Sequence, residues 1–550
     1  MNRFFLVLIL CIGIFFRIYN LGWGAPFYFH PDERNIASSV SQLNFPNQLN
    51  PHFFAYGSFP IYAIYFTGVF FNNLSSSNNS YLTLTKVNFE NAIIISRLYS
   101  AFFSIVLLFL IYEICLLLNN KKLGFLTLSL SSLSVAFIQY SHFGTFEMWL
   151  TFFSCLLFYF LLLYYKTKND FFLIIFSIIL GLLSAIKISS IIIFVIPFFV
   201  IGLVELEKRK KKIFLLLTFA GKLLSVVFIA FTVFLATCPF VFIDPSSFLN
   251  SMNYEASVAS GTLPVFYTGS FYNQIPLLFH YQYVLPFLLN PVLTVISIPS
   301  LFYALLFIKK RKNFNIFLIL SFFCLLFFSQ IFLFVKWTRY IVPSLPFLYL
   351  LISFFLIQVI KPLKKRVKIF LLYIFISLSL VFSFSFFITT YYEKDTRVSA
   401  SEFAKKNIPP QSKILSEVYD MGIVPFNSNF LSITLFNFYD LDGVPGKDKE
   451  LEKELEQNNF IILPSQRLVH SRFINSKKFP KSFAFYEKLF KGTLGFEKIY
   501  ETPCNIYCKV AYLGNPVFSL EETATVFDRP TVFIFKRSEK RDDKLIFERK

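Results

Sequence analysis

A chain of 550 residues that is 55% hydrophobic, 20% aromatic and only 15% charged, with a mean hydropathy of +0.60, is neither an ordinary water-soluble globule nor a disordered chain. Its net charge of +20 would suit a nucleic-acid binder. The Lys and Arg residues, however, stand in short clusters between apolar runs, so no nucleic acid is expected as a partner and a polytopic membrane protein is.

The N-terminal segment carries Arg3, an apolar core from Phe4 to Phe16, and Arg17, with no small-residue cleavage site nearby, which predicts an uncleaved anchor. About eleven runs near the ~17–25 residues that cross ~30 Å of hydrocarbon follow one another. They fall at 4–20, 93–118, 123–141, 147–165, 171–186, 188–204, 213–239, 284–308, 314–335, 340–360 and 369–390. Every second connection is basic: Lys121-Lys122, Lys166 with Lys168, Lys208 to Lys212, Lys309 to Lys312, and Lys361 to Lys368. The stretch from Val241 to Tyr283 has no Lys or Arg at all. The positive-inside rule then places the basic clusters and the N-terminus in the cytoplasm, with the first loop, the 241–283 loop and everything after about Tyr391 outside.

The first loop, 21–92, holds an apolar stretch from Phe59 to Phe71 between Gly57-Ser58 and Asn72-Asn73, with Ser75-Ser76-Ser77 beyond. It reads as an interfacial helix, because a span there would turn all the later basic clusters outward. The run from Phe171 to Leu206 is about twice a span and reads as two helices joined by an outer hairpin at Lys187. After Thr390 the composition turns polar, with strand-like runs at Asn459–Leu463 and Thr531–Phe535 and a helical patch at Ser399–Asn407. The expected fold is therefore a polytopic α-helical membrane domain over 1–390 and an extracytoplasmic α/β domain over 391–550. Cys504 and Cys508 lie in that second region, where a disulfide and free thiols are both open. It shows no catalytic constellation, and His470 stands alone.

On the outer side the polar residues are few: His30, Asp32, Glu33, Arg34, Arg97, His142, Glu147, Lys187, Asp244, His280, Lys336, Arg339 and Tyr340. Such groups are costly in a bilayer and are expected to line a cavity or the interface. Acids beside bases suit an enzyme acting on a lipid-linked anionic substrate, with a carboxylate taking a proton from a hydroxyl and cations neutralising a departing phosphate. Asp32 is the best base candidate, and Glu33 either raises its pKa or orients it. Blander readings stand beside these: a solvated turn at Asp32-Glu33, helix caps at His142 and Glu147, a snorkelling Lys187, an aromatic-basic belt over Lys336–Tyr340, and a turn at Asp244-Pro245.

Several segments carry a resemblance in their order. They are R-x-x-N-L-G at Arg17–Gly22, F-H-P-D-E at Phe29–Glu33, S-R-L-Y-S-A at Ser96–Ala101 and Q-Y-S-H-F-G-T-F-E at Gln139–Glu147. G-L-L-S-A-I-K-I-S at Gly181–Ser189, C-P-F-V-F-I-D at Cys238–Asp244, K-W-T-R-Y-I-V-P-S-L-P at Lys336–Pro346 and D-T-R-V-S-A-S-E-F-A at Asp395–Ala404 complete the set. Together they resemble the bacterial GT-C membrane glycosyltransferases of the protein mannosyltransferase and aminoarabinose transferase type, known as glycosyltransferase family 39.

The resemblance implies a plasma-membrane enzyme that moves a sugar, with inversion, from a polyprenyl-phosphate donor to a protein, lipid or glycan acceptor outside the cell. It implies Asp32 as base with Glu33 beside it, and Lys187, Lys336, Arg339 and Tyr340 around the donor phosphate. Of these, Arg339 is preferred because a guanidinium grips phosphate oxygens in pairs. His30, His142, Glu147 and Arg97 are supporting residues, with a structural role for Arg97 the alternative. No cofactor is required, since cations can neutralise a monophosphate leaving group. A divalent metal remains allowed through Glu147, although the family commonly has Asp there and the longer side chain weakens that carry-over. A lipid-linked substrate transporter or flippase and an envelope assembly factor are the rival classes; a transporter would be expected to show related halves or helices broken at mid-membrane.

Overall fold

The computed structural model describes residues 3–75, 85–208, 212–311, 313–430, 432–514 and 520–538. Ser76, Ser77, Arg209–Lys211 and Lys312, all used in the sequence reading, lie outside the described residues.

The helices of the first half are α1 (Arg3–Ile18), α2 (Pro31–Ser41), α3 (Ser58–Ser75), α4 (Phe89–Leu117), α5 (Lys121–Ser132), α6 (Val135–His142), α7 (Glu147–Thr167), α8 (Asp170–Ser184), α9 (Val195–Glu207) and α10 (Lys212–Thr237). After α11 (Pro245–Ser260) come α12 (Pro291–Arg311), α13 (Phe314–Ile331), α14 (Leu345–Ile360), α15 (Lys365–Phe387) and α16 (Thr396–Asn407). Among the described residues, eight helices are long and apolar enough to cross a bilayer. The apolar pair α5 and α6 is bent by 51° at its break, and α1 and α8 are shorter apolar helices. Each of these coincides with one of the apolar runs read from the sequence, and the chain is a multi-pass membrane protein.

The break between α5 and α6 has a local cause. The chain leaves the helix at Leu133 and Ser134, and the Ser134 hydroxyl caps the new helix by accepting from the Phe137 N–H at 3.4 Å. Helix α3 is not among the crossing helices. Its Ile61, Ile64 and Tyr65 are buried at helical spacing, while Phe66, Phe70, Phe71 and Leu74 face outward.

The soluble region builds a five-stranded sheet from β1 (Lys413–Glu417), β2 (Ser432–Phe436), β3 (Phe460–Leu463), β4 (Phe496–Glu501) and β5 (Phe533–Arg537), in the order β2-β1-β3-β5-β4. β1 runs parallel to β2 and β3, and β5 runs antiparallel to β3 and β4. β3 reads as a continuous apolar run because it is central and buried on both faces. Cys504 and Cys508 are joined by a disulfide.

This sheet domain is fastened to the membrane helices. Gln139 donates to Asp528 at 2.5 Å, Thr338 donates to Glu521 at 2.6 Å, and Asn475 donates to the Gly269 carbonyl at 3.0 Å. The Arg397 guanidinium forks onto Asp395 and lies 3.7 Å from the Phe29 ring centre.

Candidate active site

The tetrapeptide His30–Glu33 opens α2. His30 is extended, Pro31 takes the first helical position where its missing N–H costs nothing, and two acids fill the first turn, where the helix dipole favours negative charge. Successive helical residues point about 100° apart, so the two carboxylates diverge.

Glu33 turns inward and is 1% exposed. Arg97 reaches it through Nε at 3.1 Å and Nη2 at 2.7 Å, and the Gly144 N–H donates to the same carboxylate at 2.5 Å. A Cβ on Gly144 would stand 2.9 Å from the Ser96 hydroxyl, so only glycine brings this N–H so near. Arg97 also donates to the Leu21 and Trp23 carbonyls, each at 2.8 Å, and lies 4.7 Å from the Trp23 ring centre. The pair stitches α2, α4, the Leu21–Trp23 turn and the Gly144 turn together.

Asp32 turns the other way and meets the Arg339 guanidinium; both side chains keep 22% of their surface exposed. Burial alone would push the Asp32 carboxyl up, but Arg339, followed by His30 and Lys187, outweighs it and holds the carboxyl below its usual range. Arg339 lies 4.4 Å from the Trp337 ring centre, and Tyr340 is shared between Arg339 at 5.7 Å and the Lys187 ammonium at 4.3 Å.

Lys187 sits on the hairpin after α8. The hairpin is pinned by the Gly57 N–H donating to the Ile186 carbonyl at 2.9 Å, an approach so close that a Cβ on Gly57 would collide with the Ala185 carbonyl. Burial, reinforced by Arg339, pushes the Lys187 ammonium down to about 8 despite the opposing pull of Glu147, Glu255 and Asp32.

Lys187, Ser189, Ser190, Gln330, Arg339 and Tyr340 line one cleft, together with the apolar Leu150, Ile192 and Leu326. Leu150 and Ser154 of α7 line it too, on the face that begins with Glu147. Glu147 is 1% exposed, and neither of its carboxylate oxygens has a hydrogen-bond partner among the described residues.

The remaining sequence candidates fall elsewhere. The Lys336 ammonium is buried and donates to the Phe334 carbonyl at 2.8 Å; its charge acts on His280, so the structure does not bring it to the Lys187 and Arg339 cluster. His142 stacks on Tyr391 at 3.6 Å, with its ring nitrogens 2.9 Å and 2.8 Å from the Ile138 and Tyr19 carbonyl oxygens. His30 packs between Phe143 and Phe527, at 4.5 Å and 4.6 Å, and burial pushes its imidazole below the usual value. Asp244 caps α11 by accepting from the Ser247 N–H.

Three groups that the sequence reading passed over are close enough to act on the site. Glu255, on α11, acts electrostatically on Lys187. Arg467 and Glu522, in the soluble domain, pair at 3.2 Å, and both are electrostatically coupled to Asp32. Glu255 had a signal, since the Val241–Tyr283 stretch holds no cation and only one other acid, Asp244.

Among the described residues, no three His, Cys, Asp or Glu side chains converge closely enough to hold a metal ion. Asp32 is engaged by Arg339, and no step below passes through a metal.

No protein-family model matches the chain, and no curated protein matches it. Three solved structures illustrate what it is similar to. The oligosaccharyltransferase of Archaeoglobus fulgidus in complex with zinc and sulfate is 11% identical, with a TM-score of 0.48 over 97% of this chain and 88% of that one. The oligosaccharyltransferase AglB of the same organism, with an inhibitory peptide and a dolichol-phosphate, is 11% identical with a TM-score of 0.45 over 97% and 88%. ArnT from Cupriavidus metallidurans bound to undecaprenyl phosphate is 10% identical with a TM-score of 0.45 over 86% and 95%.

Proposed function

We propose that the chain is an inverting membrane glycosyltransferase that moves a sugar from a polyprenyl-phosphate donor to a hydroxyl acceptor on the extracytoplasmic side. The observation that carries this reading is the Asp32 carboxylate paired with Arg339, which with Lys187 lines a cleft that also holds Leu150, Ile192 and Leu326. A phosphate on a long hydrocarbon suits walls that offer both cations and apolar side chains.

Before the donor arrives, Arg339 holds the proposed base. The incoming phosphate competes with Asp32 for the guanidinium, and the released carboxylate becomes the acceptor of a proton. The acceptor hydroxyl gives that proton to Asp32 as its oxygen bonds to the anomeric carbon. The carbon–oxygen bond to phosphate breaks with its electron pair staying on the polyprenyl phosphate, and the charge that develops there meets Arg339 and Lys187. Attack opposite the leaving group inverts the centre. Glu33 and Arg97 position the base by fixing the first turn of α2.

The test is transfer of labelled sugar from a polyprenyl-phosphate donor in membranes. Asp32→Asn is expected to lose about 10²–10⁴-fold in turnover, the usual share of a general base, while the protein stays folded. Full transfer by that variant would remove Asp32 from the role. Arg339→Ala is expected to raise the donor concentration needed for half-maximal rate, and an unchanged dependence would count against phosphate binding there.

A further inference from the structure

We infer that the loop closed by Cys504 and Cys508 is a membrane foot of the sheet domain, whose Ile506 and Tyr507 enter the bilayer leaflet beside α15 and take lipid as their partner. Side by side at the start of the short helix Ile506–Ala511, these two residues are 68% and 41% exposed among the described residues. A single exposed apolar residue on a water-facing domain is ordinary and needs no account. What sets this pair apart is how far along the membrane domain it reaches.

The depth follows from α15. The helix continues through a wider turn at Ile388–Tyr392, so that one helical run of 28 residues, Lys365–Tyr392, is long and apolar enough to cross the bilayer. Its first residues, Lys365, Arg366 and Lys368, mark one polar boundary. From Ile369, about 20 residues at ~1.5 Å each cover ~30 Å of hydrocarbon and end near Ile388. Phe384 then lies about 6 Å inside the boundary nearer the sheet domain, and any tilt of the helix sets it deeper. The Tyr507 ring packs edgewise on Phe384 at 6.0 Å, so the loop descends alongside the last turns of α15 to the level of the hydrocarbon.

The face it lands on is already turned to lipid. Val381 and Phe384 are exposed, and with Ile12 and Phe15 of α1 they help to wall an apolar groove of about 580 Å³ whose lining has no charged or hydroxyl-bearing side chain. Ile506 and Tyr507 extend that surface onto the sheet domain. Nearer the domain, Tyr19 and the exposed Tyr392 stack at 6.2 Å, and Tyr507 joins them as a third phenol of the kind that sits where hydrocarbon meets head groups. The loop is pre-formed for this contact. Its disulfide joins residues four apart, the Asn505 side chain accepts from the Cys508 N–H at 3.0 Å and donates to Glu393 at 2.8 Å, and the Tyr512 and Thr390 hydroxyls bond at 2.9 Å.

The test is tryptophan fluorescence of the full-length protein in nanodiscs of brominated or unbrominated phosphatidylcholine, with the emission of the native Trp23, Trp149 and Trp337 subtracted through the unsubstituted protein. The variants are Ile506→Trp, Tyr507→Trp and, as a reference in water, Lys449→Trp on the exposed face of the helix Lys447–Gln457. Brominated lipid is expected to remove at least twice the fraction of the added emission at Ile506→Trp or Tyr507→Trp that it removes at Lys449→Trp. Quenching by aqueous acrylamide but not by brominated lipid at both positions would show a loop in water and overturn the foot. Protection from both quenchers would put protein over the loop, a second copy or another segment of this chain, and overturn it equally.

Discussion

At the scale of single residues, the acidic pair in the first loop is divided by geometry. Glu33 is consumed by a fork of hydrogen bonds to Arg97, and Asp32 faces the Arg339 guanidinium. Removing one partner of a buried ion pair typically costs ~3–5 kcal/mol. Glu33→Ala is therefore expected to lower the melting temperature strongly in a detergent thermal-shift assay, whereas Asp32→Asn is expected to shift it far less. Lys187 supplies a pH dependence. Its ammonium is pushed down to about 8, so the charge proposed to meet the donor phosphate is present below that pH and is lost as pH rises through it. The ratio kcat/KM is expected to fall on the alkaline side near that value, and kcat much less, since bound phosphate stabilises the charged form. A Lys187→Arg variant that retains donor binding should move the limb beyond the measurable range, and a limb that does not move would assign it to another group.

At the scale of elements, the crossing helices were legible, because hydrophobic runs of span length have few other uses. The acidic pair Asp32-Glu33 stood out after a proline outside a span, but the helix it opens was not read from the sequence. The partnership of Glu33 with Arg97 was not, since sequence cannot say which of two adjacent acids points inward. Arg339 was preferred to Lys336 in K-W-T-R-Y for its guanidinium alone; the short helical turn at Thr338–Tyr340 brings Arg339 into the cleft while the Lys336 ammonium bonds the Phe334 carbonyl. Arg467 and Glu522 were illegible because charged residues in a polar domain usually face water, and only the docking of that domain brings them near Asp32.

At the scale of the whole molecule, the sheet domain is part of the site. Its last described segment sends Asp528 to Gln139 and Tyr391, Glu521 to Thr338, and Phe527 to His30. Burial pushes the Asp528 carboxyl well above its usual range. Asp528→Ala is expected to leave the Gln139 amide without its acceptor, a loss of order ~1–3 kcal/mol. Limited proteolysis should then cut faster near the junction around Tyr392, and an unchanged rate would show that the domain is held by its other contacts.

The divergence of neighbouring side chains along α2 has an engineering consequence. A double swap, Asp32→Glu with Glu33→Asp, preserves composition, charge and helix propensity almost entirely, yet each carboxylate would arrive one methylene too long or too short. The shorter acid would fall back from the guanidinium it must clasp, and the longer one would crowd the cation it must relinquish. Two letters exchanged within one turn would thus be heard at once in the anchoring of the scaffold and in the chemistry at its rim.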